Sequence, residues 1–206
     1  MAELKIDFSA CIVSGGSELL GQIEALRSEY SPMCGEYFDY ITGKFGRHKD
    51  AFVESACGFL LLDNLLKKNG VDRSVIAIAR NSDGRPCVIN RNDLDFSVSH
   101  SEGAAFCCVA AGADAAVGAD IQFARTYSRE RMEELAKTFM SQSELNSFLR
   151  SSARTDEFFQ AWTRRESHYK RCGHDYALAP GSFLNGIISC CGKRYYYSIS
   201  LPEQGE

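Results

Sequence analysis

The chain has 206 residues, enough for one large domain or two small, closely joined ones at about 150 residues per domain. With 45% hydrophobic and 24% charged residues, it is not a disordered, collagenous or coiled-coil chain. The net charge of −4 argues against a partner held by phosphate neutralisation, so nucleic acid is not expected. No apolar run approaches the roughly 18 residues of a membrane helix, and the opening MAELKIDFSACIV carries charges where a signal peptide has its apolar core. Nine cysteines without a C-x-x-C pair read as reduced, mostly packing thiols, and the expected location is cytoplasmic.

In chain order, Lys5 to Val13 reads as a strand, followed by a Gly-Ser segment at Ser14 to Glu18 and an amphipathic stretch to Tyr30. Lys49 to Lys68 reads as a long helix: Phe52, Val53, Ala56, Leu60 and Leu66 fall near a 3.6 period, and Gly70 suits a stop. Ser74 to Arg80 is β-branched enough for a strand, and Asn81 to Pro86 has the chemistry of a turn. Leu94 to Ser99, Ala104 to Ala110 and Ala115 to Gln122 read as strands, the last two separated by Gly112-Ala113-Asp114. Helices return after Arg125. Ser141-Gln142-Ser143-Glu144 matches a capping box, and a stronger helix runs from about Asp156 to Cys172, stopping at Gly173. Ser182 to Ser200 offers two strands around Cys191-Gly192-Lys193. Runs of strands and helices without βαβ alternation predict an α+β fold. The order strand, helix, strands occurs twice, which predicts two similar halves, residues 1–112 and 113–206, sharing a tight interface.

Three clusters carry chemistry. Phe96-Ser97-Val98-Ser99-His100-Ser101 puts an imidazole among hydroxyls and free amides, which suits a phosphate; it also suits a capped strand end with a surface histidine. In Gly118-Ala119-Asp120-Ile121-Gln122, Asp120 and Gln122 share a face while Ile121 points to the core. This is half of a magnesium site, or a solvated strand end. In Trp162-Thr163-Arg164-Arg165-Glu166-Ser167-His168-Tyr169-Lys170, the residues Trp162, Glu166 and Lys170 lie on one helical stripe. They read either as a core tryptophan beside a surface Glu–Lys pair, or as a metal ligand or base with a phosphate-binding lysine one turn on.

Taken together, F-x-V-S-H-S, then G-A-D-I-Q, then W-T-x-x-E-S-x-x-K resemble the 4′-phosphopantetheinyl transferase superfamily, in its larger type that activates peptide and polyketide synthases. The resemblance runs from about Phe45 to Pro180. Asp83-Gly84-Arg85-Pro86 resembles the Gly-Lys/Arg-Pro turn before the serine-histidine block, and the capping box at Ser141 resembles the family's helix start.

The resemblance implies two pseudo-twofold-related α+β halves with coenzyme A in the cleft between them. It implies transfer of phosphopantetheine from coenzyme A to a serine of an acyl or peptidyl carrier protein, releasing adenosine 3′,5′-bisphosphate. Carried over by position, Asp120 and Glu166 bind Mg²⁺, with Gln122 as a third ligand or the support of a bound water. Glu166 also takes the proton of the carrier serine, and Lys170 stabilises the leaving phosphate. His100 and Ser99 meet phosphate oxygens, and Arg85 and Pro86 lie against the adenine and its phosphate. Lys44, Arg47 and His48 fall where the family places basic residues for the 3′-phosphate. Two positions depart from the family: Gln122 stands where many members have an acid, and Phe52-Val53-Glu54 stand where many have an arginine. The second half is expected to be abbreviated or to expose a sheet edge. Phe123 to Met140, with Arg125, Arg129, Arg131 and Lys137 and interleaved Met132 and Phe139, reads equally as a carrier-docking element or an ordinary amphipathic helix. Two other functions remain open: a non-catalytic binder of coenzyme A or carrier protein, and a magnesium-dependent hydrolase of nucleotide pyrophosphates.

Overall fold

The computed structural model describes residues 4–113, 115–173 and 182–202. Asp114 of the small-residue segment, and the end of the resemblance toward Pro180, lie outside the described residues. The fold is α+β. One antiparallel sheet has the order β1-β5-β4, built from β1 (Lys5–Ile12), β4 (Leu94–Ser101) and β5 (Ala104–Ala111). The other has the order β6-β8-β7, built from β6 (Gly118–Phe123), β7 (Ser182–Cys190) and β8 (Lys193–Leu201).

Side-chain alternation decides what each strand faces. On β5, Ala105, Cys107 and Val109 join the core under α3 (Lys49–Lys68). Ala104, Phe106, Cys108 and Ala110 face the other way and meet Val117, Ala119, Ile121, Tyr195 and Ile199 of the second sheet. Covered on both faces, β5 reads as a nearly continuous apolar run. The helix α3 approaches β4 closely at Gly58, where a Cβ would lie 2.6 Å from Val98 Cγ1. The outer face of the second sheet is covered by α6 (Arg154–Cys172). The helices α4 (Arg129–Phe139) and α5 (Gln142–Arg150) pack on α6 around Met132, Phe148, Phe158 and Phe159. The capping box at Ser141 is formed in both directions. β7 is an edge strand, with Leu184 and Ile187 exposed.

Two expectations are corrected, and the basic residues around α4 are placed. The strand expected over Ser74 to Arg80 shrinks to β2 (Ile78–Arg80), paired with β3 (Pro86–Val88). Asn90 bonds the amide of Ala77 and the carbonyl of Val75, satisfying this backbone without a ladder. α1 (Ser17–Arg27) stops before Tyr30, and a 3-10 turn (Pro32–Cys34) and α2 (Gly35–Thr42) follow where the sequence showed no element. In α4 the basic residues are largely occupied: Arg129 pairs with Glu133 and Arg131 with Glu134, while Arg125 pairs with Glu102. Met132 and Phe139 pack into the core, as either reading of this helix requires.

The two sheets meet edge to edge along β4 and β6 through side chains. Asp95, Ser97, Ser99 and Ser101 project from one face of β4. Asp95 Oδ2 accepts from the amide of Val117 at 2.9 Å, and Ser97 Oγ from Ala119 at 2.9 Å. Ser99 Oγ accepts from Ile121 at 3.4 Å, and Ser101 Oγ from Phe123 at 3.1 Å. Each partner lies 22 residues further on, so the two strands stay in register over the whole seam. The alternating serines of the block read as suiting a phosphate thus also satisfy the open amides of β6.

Candidate functional site

The other face of β6 meets α6. Gly118 permits this approach: a Cβ there would lie 1.9 Å from the carbonyl oxygen of Ser167. Two residues on, Asp120 points toward α6 and is 2% exposed. It is no solvated strand end. Lys170 Nζ lies 2.7 Å from Asp120 Oδ1 and donates to Ser99 Oγ at 2.9 Å. The Ser99 hydroxyl donates to Asp120 Oδ1 at 2.8 Å, and Gln122 Nε2 donates to Asp120 Oδ2 at 3.1 Å. One buried carboxylate therefore gathers an ammonium, a hydroxyl and an amide from three elements. Lys170 reaches across to Asp120, so the stripe of Trp162, Glu166 and Lys170 is not simply a surface ion pair.

Glu166 stands one turn before Lys170 and lines a cleft of about 280 Å³ together with Arg85, Pro86, Ser97 and Lys170. Burial raises its carboxyl above the ordinary 4.5, the negative Asp120 adds to the rise, and Lys170 opposes it. Further along the same seam, His100, Gln122, Glu54 and Lys49 line a broader polar hollow of about 840 Å³. The Asp120 cluster lies between the two cavities.

The remaining predicted residues fall in varied places. His100 Nδ1 lies 3.0 Å from Glu54 Oε2. Its surroundings depress its pKa below 6.5 mainly by desolvation; Glu54 opposes this, and Lys170 and Lys44 add to it. The Ser99 hydroxyl is committed to Asp120, Lys170 and the Ile121 amide. Arg85 lines the cleft, but its Nη2 lies 2.8 Å from Asp95 Oδ2 and 2.7 Å from the carbonyl oxygens of both Phe96 and Val117. The guanidinium thus clamps the seam between β4 and β6, and its buried Nε has no partner among the described residues. Lys44 bonds Ser55 of α3 at 2.8 Å and sits over the ring of Tyr40 at 4.0 Å. Arg47 is exposed and bonds back to the carbonyl of Gly43, and His48 is the exposed residue before α3. Neither lines the two cavities.

Two residues near the site escaped the sequence reading, Arg80 and Glu54, of which only Glu54 lines one of the two cavities. Arg80 stacks on the ring of Tyr40 at 4.1 Å and bonds the carbonyl of Gly84. With Lys44 it makes a cation–aromatic–cation arrangement, and neither cation has a carboxylate partner among the described residues. Glu54, placed against His100, was noted only for the arginine it lacks. The single sign of Arg80 in the sequence is its place just before the Asn81 turn.

As a cation site, Asp120 and Glu166 supply two carboxylates close enough for one to raise the other's pKa. Gln122 presents its nitrogen to Asp120, so only an inverted amide would turn its oxygen to a metal. The donor set fits a hard dication that keeps most of its ligands as water and phosphate. Among the described residues, no group of three or more His, Cys, Asp or Glu side chains converges.

Residues 116–189 match the 4′-phosphopantetheinyl transferase superfamily. This places in that superfamily the segment that carries Asp120, Gln122, Glu166 and Lys170, and it bears out the resemblance read from the sequence. The chain is also 28% identical over 139 residues to the 4′-phosphopantetheinyl transferase Sfp of Bacillus subtilis (strain 168). The match takes in 66% of this chain and spans 59% of that protein's length. No helix among the described residues is long and apolar enough to cross a membrane.

Proposed function

We propose that this protein transfers 4′-phosphopantetheine from coenzyme A to a serine of an acyl or peptidyl carrier protein, with Mg²⁺, and releases adenosine 3′,5′-bisphosphate. The observation that carries the proposal is the joining of Ser99, Asp120 and Lys170 in one buried cluster beside the Glu166-lined cleft. The superfamily match and the similarity to a named transferase support the same reading. It takes residues 1–112 and 113–206 as two equivalent halves. It includes a cytoplasmic setting, on nine thiols read as reduced.

In this reading the carrier serine hydroxyl attacks the phosphorus bearing the pantetheine arm, and the P–O bond to the bridging oxygen breaks. The electron pair leaves on the adenosine bisphosphate. Glu166 accepts the serine proton, directly or through a bound water. Lys170 carries its ammonium to the charge that develops on the leaving phosphate. His100, with Lys44 and Arg80 as the nearby cations, meets the phosphomonoester, and Arg85 lines the cleft beside it. Asp120 and Glu166 hold the divalent cation, which when bound offsets negative charge on the bridging phosphates. Gln122 orients Asp120 and the water near it.

The test is incubation with coenzyme A, Mg²⁺ and an apo carrier protein, read by mass spectrometry. One phosphopantetheine gained on the carrier, lost in Asp120→Ala and Glu166→Ala, supports transfer. Unchanged turnover in either variant overturns the site assignment. Breakdown of coenzyme A without carrier would make the protein a hydrolase, and binding without either reaction would make it a non-catalytic module.

A further inference from the structure

We infer that Lys170 is a resident counter-ion whose displacement couples divalent-cation binding to pyrophosphate binding. The inference rests on the transferase reading for its ligands and on the Asp120 cluster for its geometry. Asp120 is 2% exposed, and its carboxylate would be costly there without a cation beside it. Lys170 supplies that cation at 2.7 Å, with its side chain 24% exposed, and Ser99 steadies the ammonium at 2.9 Å. Both Asp120 oxygens already have protein partners: Oδ1 has Lys170 and Ser99, and Oδ2 has Gln122.

A dication approaching this carboxylate alone meets two obstacles. It must take Asp120 from an ammonium already in contact, and it leaves that ammonium beside a new like charge. Lys170 also lines the 280 Å³ cleft, within reach of an anion held there. A pyrophosphate in the cleft gives the ammonium a new partner and brings oxygens of its own to the cation. Each ligand then removes the obstacle to the other. The free protein should bind the dication weakly, and the complex with coenzyme A should bind it tightly. By linkage, the dication must tighten coenzyme A by the same factor. The amine has one task before the reaction, neutralising Asp120, and another during it, meeting phosphate.

Mn²⁺ serves as the probe, its free concentration read by electron paramagnetic resonance on the full chain, with and without coenzyme A. In the wild-type protein, coenzyme A should tighten Mn²⁺ by about tenfold or more, within the usual range of coupling between sites. In Lys170→Gln, which keeps a polar group for Ser99, Mn²⁺ alone should bind about tenfold more tightly, with the coupling to coenzyme A reduced to the part carried by the pyrophosphate oxygens. Lys170→Met, with a thermal melt on both variants, guards against a local collapse peculiar to glutamine. If Mn²⁺ binds the wild-type complex, but both folded variants bind Mn²⁺ alone no more tightly than wild type, the counter-ion role is wrong and the transferase reading stands. If Mn²⁺ binds nowhere, with or without coenzyme A, both readings fall.

Discussion

Replacing Gly118 by alanine tests how closely the site depends on the contact between β6 and α6. The new Cβ would sit 1.9 Å from the Ser167 carbonyl oxygen and 2.6 Å from the Arg171 amide nitrogen, both backbone atoms of α6. Cβ contacts under 3.0 Å essentially never occur, so strand and helix must part by about 1.1 Å. Ser167 follows Glu166 directly, and Arg171 follows Lys170. The same displacement therefore takes Lys170 Nζ, now 2.7 Å from Asp120 Oδ1, beyond hydrogen-bond range. Overpacking of this kind costs about 1–3 kcal/mol, and misplacing reacting groups by about 1 Å costs roughly 100-fold in turnover. Urea denaturation measures the first and carrier modification under saturating coenzyme A the second. Gly46→Ala, where a Cβ meets nothing within 4 Å, is the matched control and should change neither. A Gly118→Ala protein with wild-type stability and turnover would refute the close approach and the argument built on it.

Other expectations follow from the seam and the histidine. Ser97→Ala leaves the buried Ala119 amide without its partner and should cost about 1–3 kcal/mol in urea denaturation, whereas the half-buried Ser101 should cost less. Arg85→Met strands Asp95 and should destabilise by about 3 kcal/mol, with Arg85→Lys recovering only part, because one ammonium cannot replace the guanidinium fork. His100 is harder to protonate in the folded chain than at its ordinary 6.5, so the unfolded chain binds more protons in that window. Its contribution is therefore favourable above about pH 6.5 and is lost as the pH falls through the lowered value; His100→Gln should flatten that part of a stability-versus-pH curve. A phosphate beside the ring would raise its pKa again, so coenzyme A should bind more tightly, with proton uptake, as pH falls from about 8 to 6. Calorimetry in buffers of different ionisation enthalpy would show no such uptake if His100 stands apart from the ligand.

The long amphipathic elements were legible from the sequence. The period of Phe52, Val53, Ala56 and Leu66 marks α3, and Ser141 with Glu144 marks the start of α5. The shared face of Asp120 and Gln122 follows from strand alternation, and the hydrogen bond between their side chains agrees with it. The short helix α2 was not legible, because its buried Tyr37, Phe38 and Ile41 fall within eight residues, too few for a period to emerge. The pairing of Lys170 with Asp120 joins groups 50 residues apart, and no local pattern could distinguish it from the expected Glu166–Lys170 pair. The second role of Ser97, Ser99 and Ser101 was hidden for a different reason. Alternating small polar residues look alike whether they face water, a ligand or the amides of another strand. The i,i+4 pairing of Arg129 with Glu133 follows directly from their spacing in the sequence.

The seam has a consequence for how the molecule breathes. β4 and β6 each keep a full backbone ladder inside their own sheets, and only rotatable side chains hold one to the other. Parting the sheets there breaks neither ladder but opens the apolar contact of β5 with the second sheet, and that opening runs past the candidate site. Hydrogen exchange at the amides of Val117, Ala119, Ile121 and Phe123 should rise and fall together, ahead of the global unfolding seen inside β5. A ligand spanning the two cavities would close that line, and these four amides would report its arrival from within the protein.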